Sequence, residues 1–419
     1  MLINLPRKRL FWSVSLGHMV NDTFMSMVPV MLAFLSVAVL PMSNTQIGLT
    51  VSATQLMGAV SQPGFGILAD RNGGRWLGAG GVAWTVSLFM LALVGAQTGY
   101  FWLMFIPFVM QAIGSGAFHP VGAMHASESD KKRAASNLSY FFLMGQFGLA
   151  LGPALAGVLL DVANPAHYVI YMQPLIPIHT FIWTDNLAPI FLIGIMAIPT
   201  VSFMAMMIPA SVHHKHEKSK TPTKKITRAD LPLRAFAILG VMVAFRSLGQ
   251  PGSVTFIPVL FQNKGWSPTE YGAITSFFWF GSGIAGVMFG NLADRYDRRW
   301  VVGWSIIASA PAFFLLPGAD GGTAILVAII AGALSGGSHS IIVLLAQELI
   351  PAAKGFASGA ILGFIFGTGA LGSALIGGVS DQIGLDTTFQ IVSIVMVFAG
   401  FLAFLLPAKK VRLEAESES

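Results

Sequence analysis

Apolar residues run along this chain in stretches of roughly 20 positions or more, the length a helix needs to cross a bilayer core. The short breaks between them carry proline, glycine and charge. The runs do not alternate with period two, so they read as helices rather than barrel strands. Twelve are expected, at 10–34, 45–69, 75–97, 101–125, 134–160, 188–208, 232–261, 269–291, 300–317, 322–348, 355–380 and 387–407.

Two of the breaks are copies of one another. Gly66-Ile67-Leu68-Ala69-Asp70-Arg71-Asn72-Gly73-Gly74-Arg75 recurs as Gly290-Asn291-Leu292-Ala293-Asp294-Arg295-Tyr296-Asp297-Arg298-Arg299. Ser115, Gly116, His119 and Glu128 recur as Ser335, Gly336, His339 and Glu348, and Gly152, Ala154, Leu155, Gly157 and Asp161 as Gly372, Ala374, Leu375, Gly377 and Asp381. Matching elements lie six helices apart and run the same way, which is a parallel repeat. The expected architecture is an all-α membrane protein with twelve transmembrane helices in two pseudo-symmetric six-helix bundles. One bundle covers 1–208, a cytoplasmic linker covers 209–231, and the second bundle with a short tail covers 232–419.

Composition agrees: 54% of residues are hydrophobic, only 10% are charged and the mean hydropathy is +0.72, too apolar for a soluble fold of 419 residues. All basic residues but Lys264 and Arg246 fall at the ends expected on one side if the N-terminus is inside. The positive-inside rule then puts both termini in the cytoplasm, and the formal +6 charge belongs to the inner leaflet rather than to nucleic acid. The first apolar run is longer than a signal h-region and holds Asp22, so it is expected to stay. With no cysteine, thiolate metal sites and disulfides are excluded. The linker, with His213, His214 and His216 among lysines, reads as a solvated basic connector.

An ionisable group deep in a bilayer is costly and normally faces a cavity with a partner. Asp22 and Arg246 are the clearest cases. His18, Asn21, Asp22 and Met25 fall on one helical face, as do Arg246 and Gln250. The first and seventh helices correspond in the repeat, so an Asp22–Arg246 relationship across a central cavity is expected. The register is ambiguous: Asp70 on Asp294 sets Asp22 level with Arg246, whereas Pro29 on Pro258 sets Gly17 there. A buried ion pair serving only packing is the plainer alternative. In the functional reading Asp22, aided by His18, carries a coupling proton, and the Arg246 guanidinium holds two oxygens of an anionic or phosphonate-like substrate. Gln111, Ser115 and His119 form a polar face on the fourth helix and Ser335, Ser338 and His339 on the tenth, though membrane histidines also serve as interhelical contacts. The substrate-binding set expected is Arg246, Asn21, His119, Ser115, Gln111, Gln250, His339, Gln55 and Gln146.

A cytoplasmic gate is expected from Gly66, Asp70, Arg71, Gly74, Arg75, Glu128, Asp294, Arg295 and Glu348, with Arg71 or Arg75 reaching a carboxylate such as Glu128. The same basic residues could be topogenic only. Glycines such as Gly145, Gly148, Gly152 and Gly157, and Gly363, Gly367, Gly369 and Gly372, read as helix-packing positions. No phosphate loop and no HExxH-type metal spacing is present. The segment 162–187, rich in Tyr, Pro and Trp, is expected outside, at the membrane interface.

Over nearly its whole length the chain resembles major facilitator superfamily transporters, whose signature between helices two and three is matched by Gly66 to Arg75 with one residue of difference near its end. The second copy is weaker, with Tyr296 and Asp297 in the glycine region. Within that superfamily, His18 to Asp22, Gly114-Ser115-Gly116-Ala117-Phe118-His119-Pro120, Arg246-Ser247 and Phe256-Ile257-Pro258 resemble the bacterial fosmidomycin-resistance efflux family. The resemblance implies a multi-pass protein of the bacterial inner membrane, not an enzyme, that exports a small anionic or amphiphilic compound in exchange for protons. Proton-coupled import is the alternative. A membrane metalloenzyme using His18, Asp22, His119 and His339 is the rival of another class. No cofactor or resident metal is expected, and the chain is expected to work as a monomer with protons, lipid and a small molecule as partners.

Overall fold

The computed structural model describes residues 6–72, 74–130, 134–162, 187–210, 233–350 and 354–407. Almost all of the expected linker 209–231 and of the expected outer segment 162–187 lies outside them. Among the described residues every regular element is helical: α1 (Arg9–Ala38), α2 (Asn44–Asn72), α3 (Arg75–Gln97), α4 (Phe101–Glu128), α5 (Ala134–Val162), α6 (Ala188–Met207), α7 (Leu233–Ser247), α8 (Ile257–Gln262), α9 (Pro268–Arg295), α10 (Arg298–Leu315), α11 (Gly321–Gly336), α12 (His339–Leu349), α13 (Lys354–Ile383) and α14 (Leu385–Phe404). Large apolar side chains such as Ile195, Met196, Ile198, Leu326 and Phe398 stay exposed, as a lipid-facing surface requires.

Two expected single helices are broken. Between α7 and α8 the chain makes a five-residue π turn, Leu248–Gly252, in which Gln250 is extended (φ −150°, ψ 126°), and then a 3₁₀ turn, Ser253–Phe256. Pro251 lacks the N–H an α-helix would use there. The register ambiguity lodges in this break, because the two alignments of Asp22 and Pro29 with the second repeat differ by the same five residues. Between α11 and α12 the chain turns at Gly337 and Ser338. Counting α7–α8 and α11–α12 as single spans, eleven spans among the described residues are long and apolar enough to cross a membrane. The twelfth expected helix, α2, has 29 residues, but its threonines, serines and glutamines leave it less apolar.

The repeat is visible in contacts. Near the end carrying the basic turns, hereafter the basic end, Arg75 Nε donates to the Ile208 carbonyl after α6, and Arg299 Nη1 to the Leu406 carbonyl after α14. At the far end α2 packs on α13 and α5 on α9 through backbone-to-glycine approaches: Gly48 on the Ser373 carbonyl, Gly377 on that of Asn44, Gly157 on that of Pro268, and Gly272 on that of Pro153. Any Cβ there would collide with backbone. Toward the basic end the same helices diverge, and a Cβ added at Gly64, Gly286, Gly290, Gly363 or Gly367 would meet nothing within 4 Å. The molecule is therefore closed at its far end and splayed at its basic end. In the turn before α11, Asp320 accepts from the Gly321 N–H and the Trp266 indole, which hold its carboxyl below the usual range.

Candidate functional site

Two polar clusters interrupt the apolar interior, one in each repeat. The first is built on α1. One helical turn separates His18 from Asp22, and their side chains meet at 3.3 Å (His18 Nε2 to Asp22 Oδ2). From α4, His119 Nε2 reaches Asp22 Oδ1 at 3.4 Å. Asn21 donates to Asp22 Oδ1 and to Ser115 Oγ, both at 3.0 Å, and Thr85 on α3 donates to Asn21 Oδ1 at 3.2 Å. Gly145 and Gly148 let α5 lie directly against this group; a Cβ at Gly145 would strike the His18 ring and the Asp22 carboxylate.

Proton placement follows from the outer partners. His18 Nδ1 lies 2.8 Å from the Phe141 carbonyl and His119 Nδ1 2.8 Å from the Ser115 carbonyl, so each Nδ1, assigned from its partner, carries a proton and donates. Each Nε2 then faces a carboxylate oxygen. Those contacts are attractive only with additional protons, on a ring or on the carboxyl; without them lone pairs oppose lone pairs. A proton between ring and carboxylate turns each of these contacts into a hydrogen bond. Access to it is one-sided: the His119 side chain is 27% exposed, Asp22 12% and His18 4%. The same three residues place one ligand atom each within 4.8 Å of one another, which a metal ion could also use. His339, the fourth residue of the metalloenzyme reading, is not among them.

The second cluster surrounds Arg246 at the end of α7, which is fully buried. Its Nη1 donates to the Gln250 carbonyl (3.2 Å), and its Nη2 to Gln250 Oε1 (2.8 Å) and to the Ser335 carbonyl (2.6 Å). Gln250 Nε2 donates in turn to Ser282 Oγ on α9 (3.2 Å). Arg246 Nε has no partner, and no carboxylate of the described residues lies within ion-pair distance of this guanidinium. The expected Asp22–Arg246 relationship is therefore not a contact: each side chain finds its hydrogen-bond partners within its own repeat. Ser253, a turn beyond Gln250, bonds the Leu248 carbonyl instead.

The remaining expected residues divide. Gln111 is fully buried and neither end of its amide has a partner. Gln55 lies on α2 with an unpartnered Oε1, and that oxygen would be 3.3 Å from a Cβ at Gly369 on α13. Gln146 is exposed on α5, facing Gly283 of α9. His339 is half-buried and lies in the electrostatic field of Arg246.

At the expected gate, Gly66 stands beside Pro120 and Gly74 beside Val121 and His125. The side chains of Asp70 and Arg71 lie outside the described residues. Arg75, expected to reach a carboxylate such as Glu128, is held by the Ile208 carbonyl. Glu348 pairs with Arg298 at 2.6 Å rather than with Arg295, while Asp294 and Arg295 are exposed. Sequence reasoning missed Thr85 and Ser282, single hydroxyls in apolar runs with no pattern to mark them. It also missed Arg298, although the doubled Arg298-Arg299 was a visible departure from the first loop.

The Major Facilitator Superfamily model matches residues 11–262 and 239–419. The fosmidomycin resistance protein of Escherichia coli (strain K12) is 26% identical over 400 residues, covering 94% of this chain and 92% of that protein. The uncharacterized MFS-type transporter YfnC of Bacillus subtilis (strain 168) is 25% identical over 399 residues, with the same coverage. Among solved structures, a bacterial homolog to the human lysosomal transporter Spinster, inward-facing and unoccupied, superposes with a TM-score of 0.74 at 15% identity, covering 95% of this chain and 96% of that one. The xylose transporter XylE from E. coli, inward open, gives 0.67 at 14% identity, covering 96% and 97%.

Proposed function

The chain belongs to the major facilitator superfamily, and from that premise we propose that it is a proton-coupled antiporter of the bacterial inner membrane. In this reading it exports a small anionic or amphiphilic compound, of which a fosmidomycin-like drug is one, by rocking of two bundles, 1–208 and 232–419, joined by the linker. The basic end is cytoplasmic by the positive-inside rule, so the splayed form is the inward-facing state. The observation that carries the proposal is the His18–Asp22–His119 cluster, whose Nδ1 atoms are committed to carbonyls while the Nε2 contacts to Asp22 change with each proton gained or lost. Protons enter through the partly exposed His119. Arg246 is the substrate's cation: a buried guanidinium compensated only by neutral dipoles gains most from an arriving anion. Because Arg246 is fully enclosed, the anion reaches it only as the break at Leu248–Gly252 yields, which ties binding to movement.

The test is transport in everted vesicles with an imposed pH gradient. Accumulation into an acidic lumen supports antiport. Accumulation along the proton flow converts the reading to symport, and flux indifferent to the gradient removes proton coupling altogether. Stoichiometric zinc in the purified protein would assign the cluster to metal instead.

A further inference from the structure

We propose that Asp161 and Asp381 are matched positioning residues of the transport cycle: each closes the far end by capping the first turn of a helix in the opposite repeat, and both caps release when the protein opens outward. The idea rests on the alternating-access reading above but not on proton coupling or on any substrate.

The hydrogen-bond accounting at the two helix starts is complete. The first N–H groups of a helix have no acceptor within it. In α2, Ser43 and Gln46 form a reciprocal box (Gln46 N–H to Ser43 Oγ 3.2 Å, Ser43 N–H to Gln46 Oε1 3.0 Å). That leaves the Asn44 and Thr45 N–H groups, and both donate to Asp381 at 2.9 Å, joined by the Thr45 hydroxyl at 2.5 Å. In α9 the same box is made by Ser267 and Glu270. Pro268 has no N–H, so one donor remains, Thr269, and it goes to Asp161 at 2.7 Å. Asp381 belongs to α13 and Asp161 to α5, each in the repeat opposite the helix it caps.

The two arrangements are copies. Ser43-Asn44-Thr45-Gln46-Ile47-Gly48 corresponds to Ser267-Pro268-Thr269-Glu270-Tyr271-Gly272, and Asp161 to Asp381. Beneath the caps lie the four glycine-to-carbonyl approaches that seal the far end. A carboxylate at a helix N-terminus also meets the favourable end of the helix dipole. When the far ends part, the helix N–H groups and the carboxylates must exchange each other for water. The two caps are unequal, because Asp381 makes three bonds and Asp161 one.

The chain has no cysteine, so labels can be placed cleanly. Tyr100→Cys, exposed just before α4, and Gly322→Cys, exposed in the first turn of α11 in the opposite repeat, carry nitroxides in the full-length protein in liposomes, and their distance distribution reports far-end opening. Asp381→Ala is expected to raise the ratio of open to closed molecules about fivefold, as loss of a helix cap does. Asp161→Ala should do less, and the double variant more than either. If Asp381→Ala does not fold, Thr45→Val, which removes only the hydroxyl contact, should move the ratio the same way by about twofold. A double variant with an unchanged distribution overturns the proposal, as does a shift from Asp161→Ala exceeding that from Asp381→Ala. These distances do not depend on transport: unmoved distances with intact proton-driven flux sink the caps alone, and moved distances without such flux sink the antiport reading alone.

Discussion

Around Asp22 the close partners are side chains, His18, His119 and Asn21, whereas two of the three acceptors around Arg246 are backbone carbonyls. Side-chain partners can gain protons or change rotamer while the helices stay still. Backbone partners cannot: Arg246 is bound to the Gln250 and Ser335 carbonyls, which sit in or beside the two broken spans, so displacing it displaces those breaks. The repeat thus supplies one frame used in two ways. In the proposed function the first copy titrates, and the second couples a fixed charge to helix geometry. Aligned on Asp70 and Asp294, Asp22 and Arg246 take corresponding positions, yet their surroundings differ.

The strongest way to break this comparison is Asp22→Asn. Asparagine keeps the shape and its amide can donate to one histidine Nε2 and accept from the other once that ring is protonated, but it cannot carry the charge. Gradient-driven transport is expected to fall by roughly 100-fold or more, as when a positioned proton-transfer group is lost, while downhill substrate exchange survives. Driven flux in that variant at the parent rate would remove Asp22 from coupling. Next is Arg246→Lys, which retains charge but cannot reach the carbonyl and amide acceptors with a planar fork. Substrate affinity is expected to drop about 10- to 100-fold, the loss of one to two charge-assisted bonds, with protons moved per substrate unchanged. Equilibrium binding to the purified variant checks this, and an unaltered affinity would end the recognition role.

The superfamily fold was legible because a bilayer enforces long unbroken apolar runs and because the two loops at Asp70 and Asp294 announce the repeat. The α1 cluster was legible for the same kind of reason: His18 and Asp22 are one turn apart, and an α-helix brings them together whatever surrounds it. Arg246 was recognisable as costly and Gln250 as sharing its face, but its carbonyl acceptors were not, since they depend on a π turn and on a carbonyl beside the α11–α12 break. Only the five-residue mismatch between alignments hinted at that. The partner of Glu348 was not legible because the chemistry is degenerate: Arg295, Arg298 and Arg299 are equally able to pair with it, and helix phase, invisible at a turn, selects Arg298. The far-end caps were readable in principle from the Ser-x-Thr copies at Ser43 and Ser267.

A smaller effect is expected from Gln250→Ala. It deletes the 2.8 Å acceptor for Arg246 Nη2 and the link to Ser282, but leaves both backbone carbonyls in place. Affinity should weaken about tenfold by the same binding assay, with a charged bond lost and a neutral one beside it. No loss would mean that the carbonyls alone hold the guanidinium.

The finest test uses the repeat pair Ser115 and Ser335, which occupy equivalent places and do different things. Ser115 Oγ accepts from Asn21 at 3.0 Å and touches His119 Nδ1 at 3.3 Å, so its hydroxyl belongs to the titrating cluster. Ser335 Oγ bonds only the Ala331 carbonyl in its own helix, and it is the Ser335 main-chain oxygen that receives Arg246. Ser115→Ala should therefore slow gradient-driven transport about threefold, the worth of one neutral hydrogen bond, without touching substrate affinity. Ser335→Ala should change neither, because an alanine offers the same carbonyl. Equal effects from the two substitutions, measured as driven flux at matched expression, would mean that the two copies share one role and that the division between a titrating and a conformational site is wrong.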